Sequence, residues 1–270
     1  MKFGIENYFL NSPFSTFVSL ILILGFYRIG KIILNINFFK STLKNVSILN
    51  YQYISFGILL ISLIFYPILL FVKINSNFFY ILSIIISLFG IWHLFVKIKF
   101  ISNFSNLFKN ITKSVFEIIL ILFVLLYFLL SLGPITDADS LDYHLSVPIY
   151  ILNYGFFPKD ILWFHAAQAG LGEIPIIFGI VIGAEQFLGL IQFSGLISII
   201  GILRKNIYKV NKNEYFIKKF YLILIFLSLP ILVYLNSTAK PQLIFLGYTS
   251  LAFVITFFDF DKKEKKKLFF

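Results

Sequence analysis

The chain has 270 residues, of which 59% are hydrophobic and 13% charged, and its formal net charge is +11. A soluble domain of this length would need a more polar exterior, so the composition excludes that class and indicates an integral membrane protein. The lack of cysteine excludes disulfides and thiol catalysis. The basic residues lie in short links between apolar runs, which is typical of cytoplasmic loops rather than of a nucleic-acid-binding surface.

Apolar runs long enough to cross a membrane as helices recur along the chain. The first run is predicted to be a retained anchor, since no small-residue cleavage site follows it. Assigning the basic links to the cytoplasm leaves only Lys2, Lys73, Lys159 and Lys240 outside. The sequence thus predicts an all-α membrane protein with about seven spans, an outer amino terminus and a cytoplasmic carboxyl terminus. The predicted spans are about 13–34, 52–72, 78–96, 115–133, 185–203, 219–235 and 241–258.

A long outer loop is predicted between the fourth and fifth spans, and it carries two helices. Pro134 ends the fourth span, and Asp137 or Asp139 is a suitable N-cap for an amphipathic helix parallel to the membrane. Gly155 is expected to end that helix. The later stretch 171–183 is too short and too interrupted to cross the membrane, so it predicts a second helix in the outer interface.

The first loop helix carries an acidic cluster in an otherwise apolar chain. Asp137, Asp139 and Asp142 lie within six residues, and Tyr143 and His144 follow directly. A charge at the bilayer centre costs about 2.5–3.5 kcal/mol, so these carboxylates are expected in water or in a polar cavity. Such a cluster is by default a candidate functional site.

On an α-helix Asp139, Asp142 and Tyr143 would share one face, while His144 would point elsewhere. Two interpretations stay open at this point. The carboxylates could raise one another's pKa and supply a general base, or they could merely solvate the loop and cap its helix.

Other chemistries are less well supported by the spacing. A Ser-His-Asp site built from Ser140, His144 and Asp142 lacks a nucleophile elbow. His144 and His165 lack the fixed spacing of zinc ligands. The sequence identifies no cofactor and leaves a divalent metal undetermined.

Two more residues join Asp137, Tyr143 and His144 as candidate substrate-binding residues. Lys240, one of the few cations assigned to the outer side, suits a lipid phosphate as a point charge, although snorkelling to lipid headgroups is the alternative. Glu173 could face the acidic cluster across a cavity, or it could serve as a helix cap or a solvated surface group.

These motifs resemble the GT-C superfamily of membrane glycosyltransferases, especially its bacterial branch related to protein mannosyltransferases and lipid A aminoarabinose transferases. The likeness covers about 115–258 as a GT-C-like module, between a three-span region (1–114) and a basic cytoplasmic tail (259–270). The matching stretches are DSLDYHL (139–145), GFFP (155–158), GAEQF (183–187), LP (229–230) and NSTAKP (236–241).

The resemblance implies that Asp139 is the catalytic base and Asp142 a second acid. An activated acceptor hydroxyl would displace polyprenyl phosphate from the anomeric carbon of a sugar, with inversion. The expected partners are a polyprenyl-phosphate-linked sugar, a glycan, lipid or protein acceptor and membrane lipids, at the outer face of a bacterial inner membrane, without nucleic acid. The alternatives are a transporter, a non-catalytic partner that binds lipid-linked sugars, or an inactive truncated GT-C member.

Overall fold

In the computed structural model, the described residues are 9–36, 52–98, 115–159, 163, 170–208 and 213–253, and every regular element among them is helical. Four of these helices are long and apolar enough to cross a membrane, so the chain is an all-helical membrane protein. The elements are α1 (Ser12–Leu34), α2 (Gln52–Phe71), α3 (Ser76–Ile98), α4 (Val115–Ser131), a π-helical turn (Ser140–Leu145), α5 (Ser146–Tyr154), α6 (Ile174–Ile180), α7 (Gln186–Tyr208), α8 (Asn213–Leu227), α9 (Pro230–Asn236) and α10 (Gln242–Phe253).

The four long helices are α1, α2, α3 and α7, and they match the first, second, third and fifth predicted spans within a few residues. The apolar part of α4, Glu117–Ser131, is shorter than this class. The exposed side chains of α3 and α4 are largely apolar, as expected of a surface that faces lipid. They include Ile81, Ile85, Leu88, Leu122, Leu125 and Leu129.

Glycines allow α1 to pack directly against α2 and α3. A Cβ atom on Gly25 would lie 2.1 Å from the Ile86 carbonyl oxygen of α3, and one on Gly90 would lie 2.1 Å from that of Ile21. Gly57 on α2 makes an equally close approach to the backbone of α1. Helices in lipid gain little hydrophobic energy from association, so backbone contact of this kind is a main source of their packing.

The helix α7 is the second centre of the bundle. A Cβ on Gly189 would lie 2.1 Å from the Ser131 carbonyl oxygen at the end of α4, and one on Gly195 would lie 2.0 Å from that of Leu243 in α10. Gln192 accepts a hydrogen bond from the Ile244 backbone N–H at 3.3 Å. Together these contacts hold the end of α4 and the start of α10 against α7.

The helix α6 differs from its prediction as an interfacial helix. Its seven residues are too few to cross a membrane, as expected, but all seven are buried. The Phe178 ring lies 5.7–6.1 Å from the rings of Phe26, Phe65 and Phe79, which belong to α1, α2 and α3. Six of the seven residues are apolar or glycine and the seventh is proline, so no side presents a polar face to water.

The sixth predicted span is interrupted between Leu227 and Pro230. Leu229 has an extended backbone with ψ 122°, the conformation favoured in the residue before a proline, and α9 begins at Pro230. The Tyr127 hydroxyl donates a 2.5 Å hydrogen bond to the Leu227 carbonyl at the break. Asn236 at the end of α9 donates to the Tyr127 carbonyl at 2.6 Å. These bonds fix the position of the turn that carries Lys240.

Candidate functional site

The acidic segment begins with a capped helix start. The Asp137 carboxylate accepts a 2.8 Å hydrogen bond from the Ser140 backbone N–H, three residues later, as an N-cap residue does. Of the two predicted caps, Asp137 is therefore the one the structure uses. Its carboxylate is committed to holding the chain, while Asp139 and Asp142 lie exposed on the first turns.

The helix then widens into the π-helical turn Ser140–Leu145. Pro148 has no N–H to donate to the His144 carbonyl, so one α-helical hydrogen bond is missing at this point. The Ser146 hydroxyl instead bonds the carbonyl of Leu141, five residues back, at 2.7 Å. Short π-helical turns of this kind are frequent at functional sites. The wider turn carries His144 into the interior, where it is 4% exposed.

A lysine pairs with the acidic cluster from the opposite side. Lys240 Nζ lies 2.6 Å from Asp139 Oδ2 and 3.6 Å from Asp137 Oδ1. It also donates at 2.6 Å to the Tyr234 hydroxyl, which donates in turn to Asp137 at 2.7 Å. The Lys240 side chain is 10% exposed and that of Asp139 is 59% exposed. The group Asp137, Asp139, Tyr234 and Lys240 is called the charge network below.

The contacts of Lys240 and Asp137 within the charge network favour the ionised forms of these two residues. Burial alone would lower the pKa of Lys240, but its hydrogen bonds to Asp139 and Tyr234 and the charges of both aspartates outweigh that effect and raise the pKa. Burial would raise the pKa of Asp137, but hydrogen bonds from Ser140 and Tyr234 and the Lys240 charge hold it below its usual value. The expectation that clustered carboxylates raise one another's pKa is therefore wrong for Asp137, since a cation sits among them.

Ser140 ties the two sides of the site together. Its hydroxyl accepts a 3.0 Å hydrogen bond from the Ala239 backbone N–H, next to Lys240. Ser140 is fully buried, which gives it a positioning role and removes it further from a Ser-His-Asp arrangement.

A second pair, His144 and Glu173, lies inside the protein. His144 Nδ1 is 2.8 Å from Glu173 Oε1, and the other carboxylate oxygen accepts a 2.7 Å hydrogen bond from the Gly170 backbone N–H. Both residues are buried, at 4% and 3% exposure. Glu173 thus faces His144 rather than the aspartates, and it closes the loop before α6.

Tyr143 stands between these two groups. Its ring centroid lies 4.0 Å from that of His144. Burial raises the pKa of its hydroxyl, and the negative charges of Asp139, Glu173 and Asp137 raise it further while Lys240 acts against them. The charge network and the buried His–Glu pair are therefore close enough to act on one side chain.

The structure thus brings most of the predicted site residues into two adjacent groups. Sequence reasoning missed Tyr234, which carries no motif of its own, and it considered Ser140 only as a weak candidate nucleophile. Among the described residues, no three His, Asp or Glu side chains come together in the way a metal site requires. His165 and the basic tail 259–270 lie outside the described part of the chain.

The fold and the site together define a helical membrane protein in which the charge network and the buried His–Glu pair lie between helices. Residues 91–270 match the DUF1420 N-terminal domain family, so the chain belongs to that family. Neither the curated proteins nor the solved structures include a match to it.

Proposed function

We propose that this chain is a GT-C-type membrane glycosyltransferase, which moves a sugar from a polyprenyl phosphate to an acceptor hydroxyl. The single observation that carries the proposal is the pairing of a mostly exposed carboxylate with a buried cation. Asp139 is 59% exposed at its side chain, and the Lys240 ammonium is 2.6 Å away. The proposed reaction needs two charged groups side by side, a base for the acceptor hydroxyl and a cation that binds the donor phosphate.

In the proposed reaction the acceptor O–H gives its proton to Asp139 while its oxygen attacks the anomeric carbon. The bond from that carbon to the phosphate oxygen breaks, and its electron pair leaves with the polyprenyl phosphate. Lys240 offsets the charge of the phosphate as a point charge. The donor phosphate competes with Asp139 for the Lys240 ammonium, and this exchange frees a carboxylate oxygen of Asp139 to accept from the acceptor O–H.

The remaining residues fall into supporting roles in this proposal. Asp137 and Tyr234 hold Lys240 in place, because each contacts the ammonium and they are hydrogen-bonded to each other. Asp142, exposed on the same turn as Asp139, is the second acid. A general base that is positioned in this way typically contributes a rate factor of about 10²–10⁴.

We further propose that the chain crosses the bacterial inner membrane seven times, with the site at the outer face. The four long helices are supplemented by α4, the α8–α9 pair and α10 as further crossings. The short helix α6 reaches the interior without crossing. Basic links then fall on the cytoplasmic side, as the positive-inside rule requires.

The test is sugar transfer by purified protein in liposomes. The donors are polyprenyl-phosphate-linked mannose and glucose carrying a labelled sugar, and the acceptor is a bacterial membrane extract. We expect wild-type protein to move label from the donor and Asp139→Asn to be slower by about 10²–10⁴. The Asn side chain can still accept the bond from Lys240, so folding is preserved.

The matched control is Glu117→Gln, which removes a carboxylate at the other end of α4. It should transfer at the wild-type rate. Wild-type rate in Asp139→Asn would remove Asp139 from the mechanism. Donor binding without release of polyprenyl phosphate in the wild-type protein would instead support the non-catalytic partner that binds lipid-linked sugars.

A further inference from the structure

Among the residues that the structure describes, the buried His–Glu pair leaves one hydrogen-bonding atom of His144 without a partner. Nδ1 bonds Glu173 at 2.8 Å, whereas Nε2 is buried and meets no hydrogen-bonding group of the described residues. Leaving a buried polar atom unpaired is costly, and native structures usually have a reason for it. The usual reasons include a ligand that completes the bond.

We propose that Nε2 of His144 accepts a hydrogen bond from a hydroxyl group of the substrate. This inference rests on the proposed function, because it places a hydroxyl-bearing ligand at the same site. It adds a contact that the charge network does not provide, and it assigns the contact to one atom.

With a neutral imidazole ring, the pair selects a hydrogen-bond donor as the missing partner of Nε2. A carboxylate can only accept, so the proton of the bond to Glu173 resides on Nδ1. In the neutral ring Nε2 is then an acceptor. The Gly170 bond to the second oxygen of Glu173 fixes the carboxylate, and with it the ring. A fully ionised phosphate has no proton to offer Nε2, whereas sugar and acceptor hydroxyls do.

The position of the pair agrees with a shared ligand. The loop that carries Glu173 packs on the turn that carries Lys240, since a Cβ on Gly172 would lie 2.3 Å from the Pro241 side chain. Tyr143 packs on His144 and responds to charges in both groups. Nε2 is closed to solvent, so the ligand reaches it by moving neighbouring side chains, and partly buried Tyr143 is one whose ring lies against the imidazole.

The first test uses two substitutions that copy different parts of the imidazole. His144→Asn keeps a donor close to the position of Nδ1, and so can keep the bond to Glu173, but it has no group at the position of Nε2. His144→Ala loses both. We expect His144→Asn to keep the wild-type thermal midpoint and to lose roughly 10- to 100-fold in kcat/KM for transfer, while His144→Ala loses stability as well.

A series of deoxy-sugar donors then identifies the hydroxyl. In wild-type protein, removing the hydroxyl that contacts Nε2 should cost a similar factor, and in His144→Asn the same removal should cost nothing more. The inference is wrong if His144→Asn transfers at the wild-type rate. It is also wrong if the loss from the substitution and the loss from the missing hydroxyl simply multiply, for every deoxy donor and for every member of a matched deoxy acceptor series. The His–Glu pair would then be only a structural contact.

The second test does not depend on turnover or on the variants folding. Nitrogen-15 NMR of histidine-labelled protein follows Nε2 of His144, and the chain has only 3 histidines to assign. The Nε2 signal should shift with the sugar-bearing donor and not with polyprenyl phosphate alone. A shift only when acceptor is added would assign the hydroxyl to the acceptor. No shift with either would overturn the inference, whereas failure of wild-type transfer would count against the proposed function.

Discussion

At the scale of single residues, Lys240 changes the meaning of the acidic cluster. Three nearby aspartates suggest mutual repulsion, but the ammonium and the Tyr234 hydroxyl neutralise and bridge two of them. Asp137 becomes a structural carboxylate, since both of its oxygens accept hydrogen bonds. Asp139 keeps most of its surface in contact with solvent, which is why the proposed chemistry is assigned to it.

The lowered pKa of Asp137 predicts how stability depends on pH. Its folded-state pKa lies below the ordinary 3.8, so below that value the unfolded chain binds the proton more readily. The stabilisation is present above pH 3.8 and is lost as the pH falls toward the folded-state pKa. Thermal midpoints of detergent-solubilised protein, measured across this range, should fall with acid in the wild-type protein.

The variant Asp137→Asn removes this titrating group. It should be less stable than the wild-type protein at pH 6, and its thermal midpoint should fall less steeply between pH 5 and pH 3. An Asp142→Asn protein serves as the comparison, because Asp142 is exposed. If Asp137→Asn followed the same acid profile as the wild-type protein, the ionised bonds at Asp137 would not contribute to stability.

The sequence identified most members of the site but not their partners. Asp137, Asp139 and His144 are visible as polar residues in an apolar chain. The pairing of the two aspartates with Lys240 spans about a hundred residues of sequence, and no local periodicity reports a contact at that distance. His144 points away from the exposed Asp139, as predicted, although the prediction used the α-helical step of 100° and the segment is a π-helical turn.

At the scale of helices, the glycine contacts of α1 should control folding of the bundle. A Cβ on Gly90 would lie 2.1 Å from the Ile21 carbonyl oxygen and 3.0 Å from the Gly25 nitrogen. Both neighbours are backbone atoms and cannot rotate away. We therefore expect Gly90→Ala to separate α1 from α3 and to cost about 1–3 kcal/mol, read as a lower thermal midpoint in detergent.

The control is Gly170→Ala, where the added Cβ would meet no atom of the described residues closer than 3.9 Å and the backbone φ is not positive. It should unfold at the wild-type temperature. Equal midpoints for the two variants would mean that the close approach of α1 and α3 does not limit stability.

The long helices were predictable because length and continuous apolarity decide whether a segment can cross lipid. The interruption at Pro230 was not, although the proline itself was visible, since membrane helices often accommodate proline. The burial of α6 also escaped prediction. The sequence pattern of a short apolar stretch with glycine is the same whether the helix lies at the interface or among other helices. The burial of α6 depends on the aromatic side chains of α1, α2 and α3 that contact Phe178.

At the scale of the whole molecule, charge is distributed unevenly along the chain. The basic links and the lysine-rich end lie apart in sequence from the acidic segment. The positive-inside rule assigns the basic parts to the cytoplasm, which predicts that the acidic segment is on the opposite side of the membrane. The charge network can meet a lipid-linked donor at the outer face only if this separation holds. Membership of the DUF1420 family leaves that orientation to experiment.

The lack of native cysteine makes single-cysteine labelling the most direct measurement of this central claim. Asn153→Cys, at the exposed end of α5, and Lys263→Cys, in the basic tail, are each treated in intact cells with a membrane-impermeant maleimide. We predict that the cysteine at 153 reacts in intact cells and that the one at 263 reacts only after the membrane is permeabilised. Reaction of both from the same side would contradict the proposed site at the outer face.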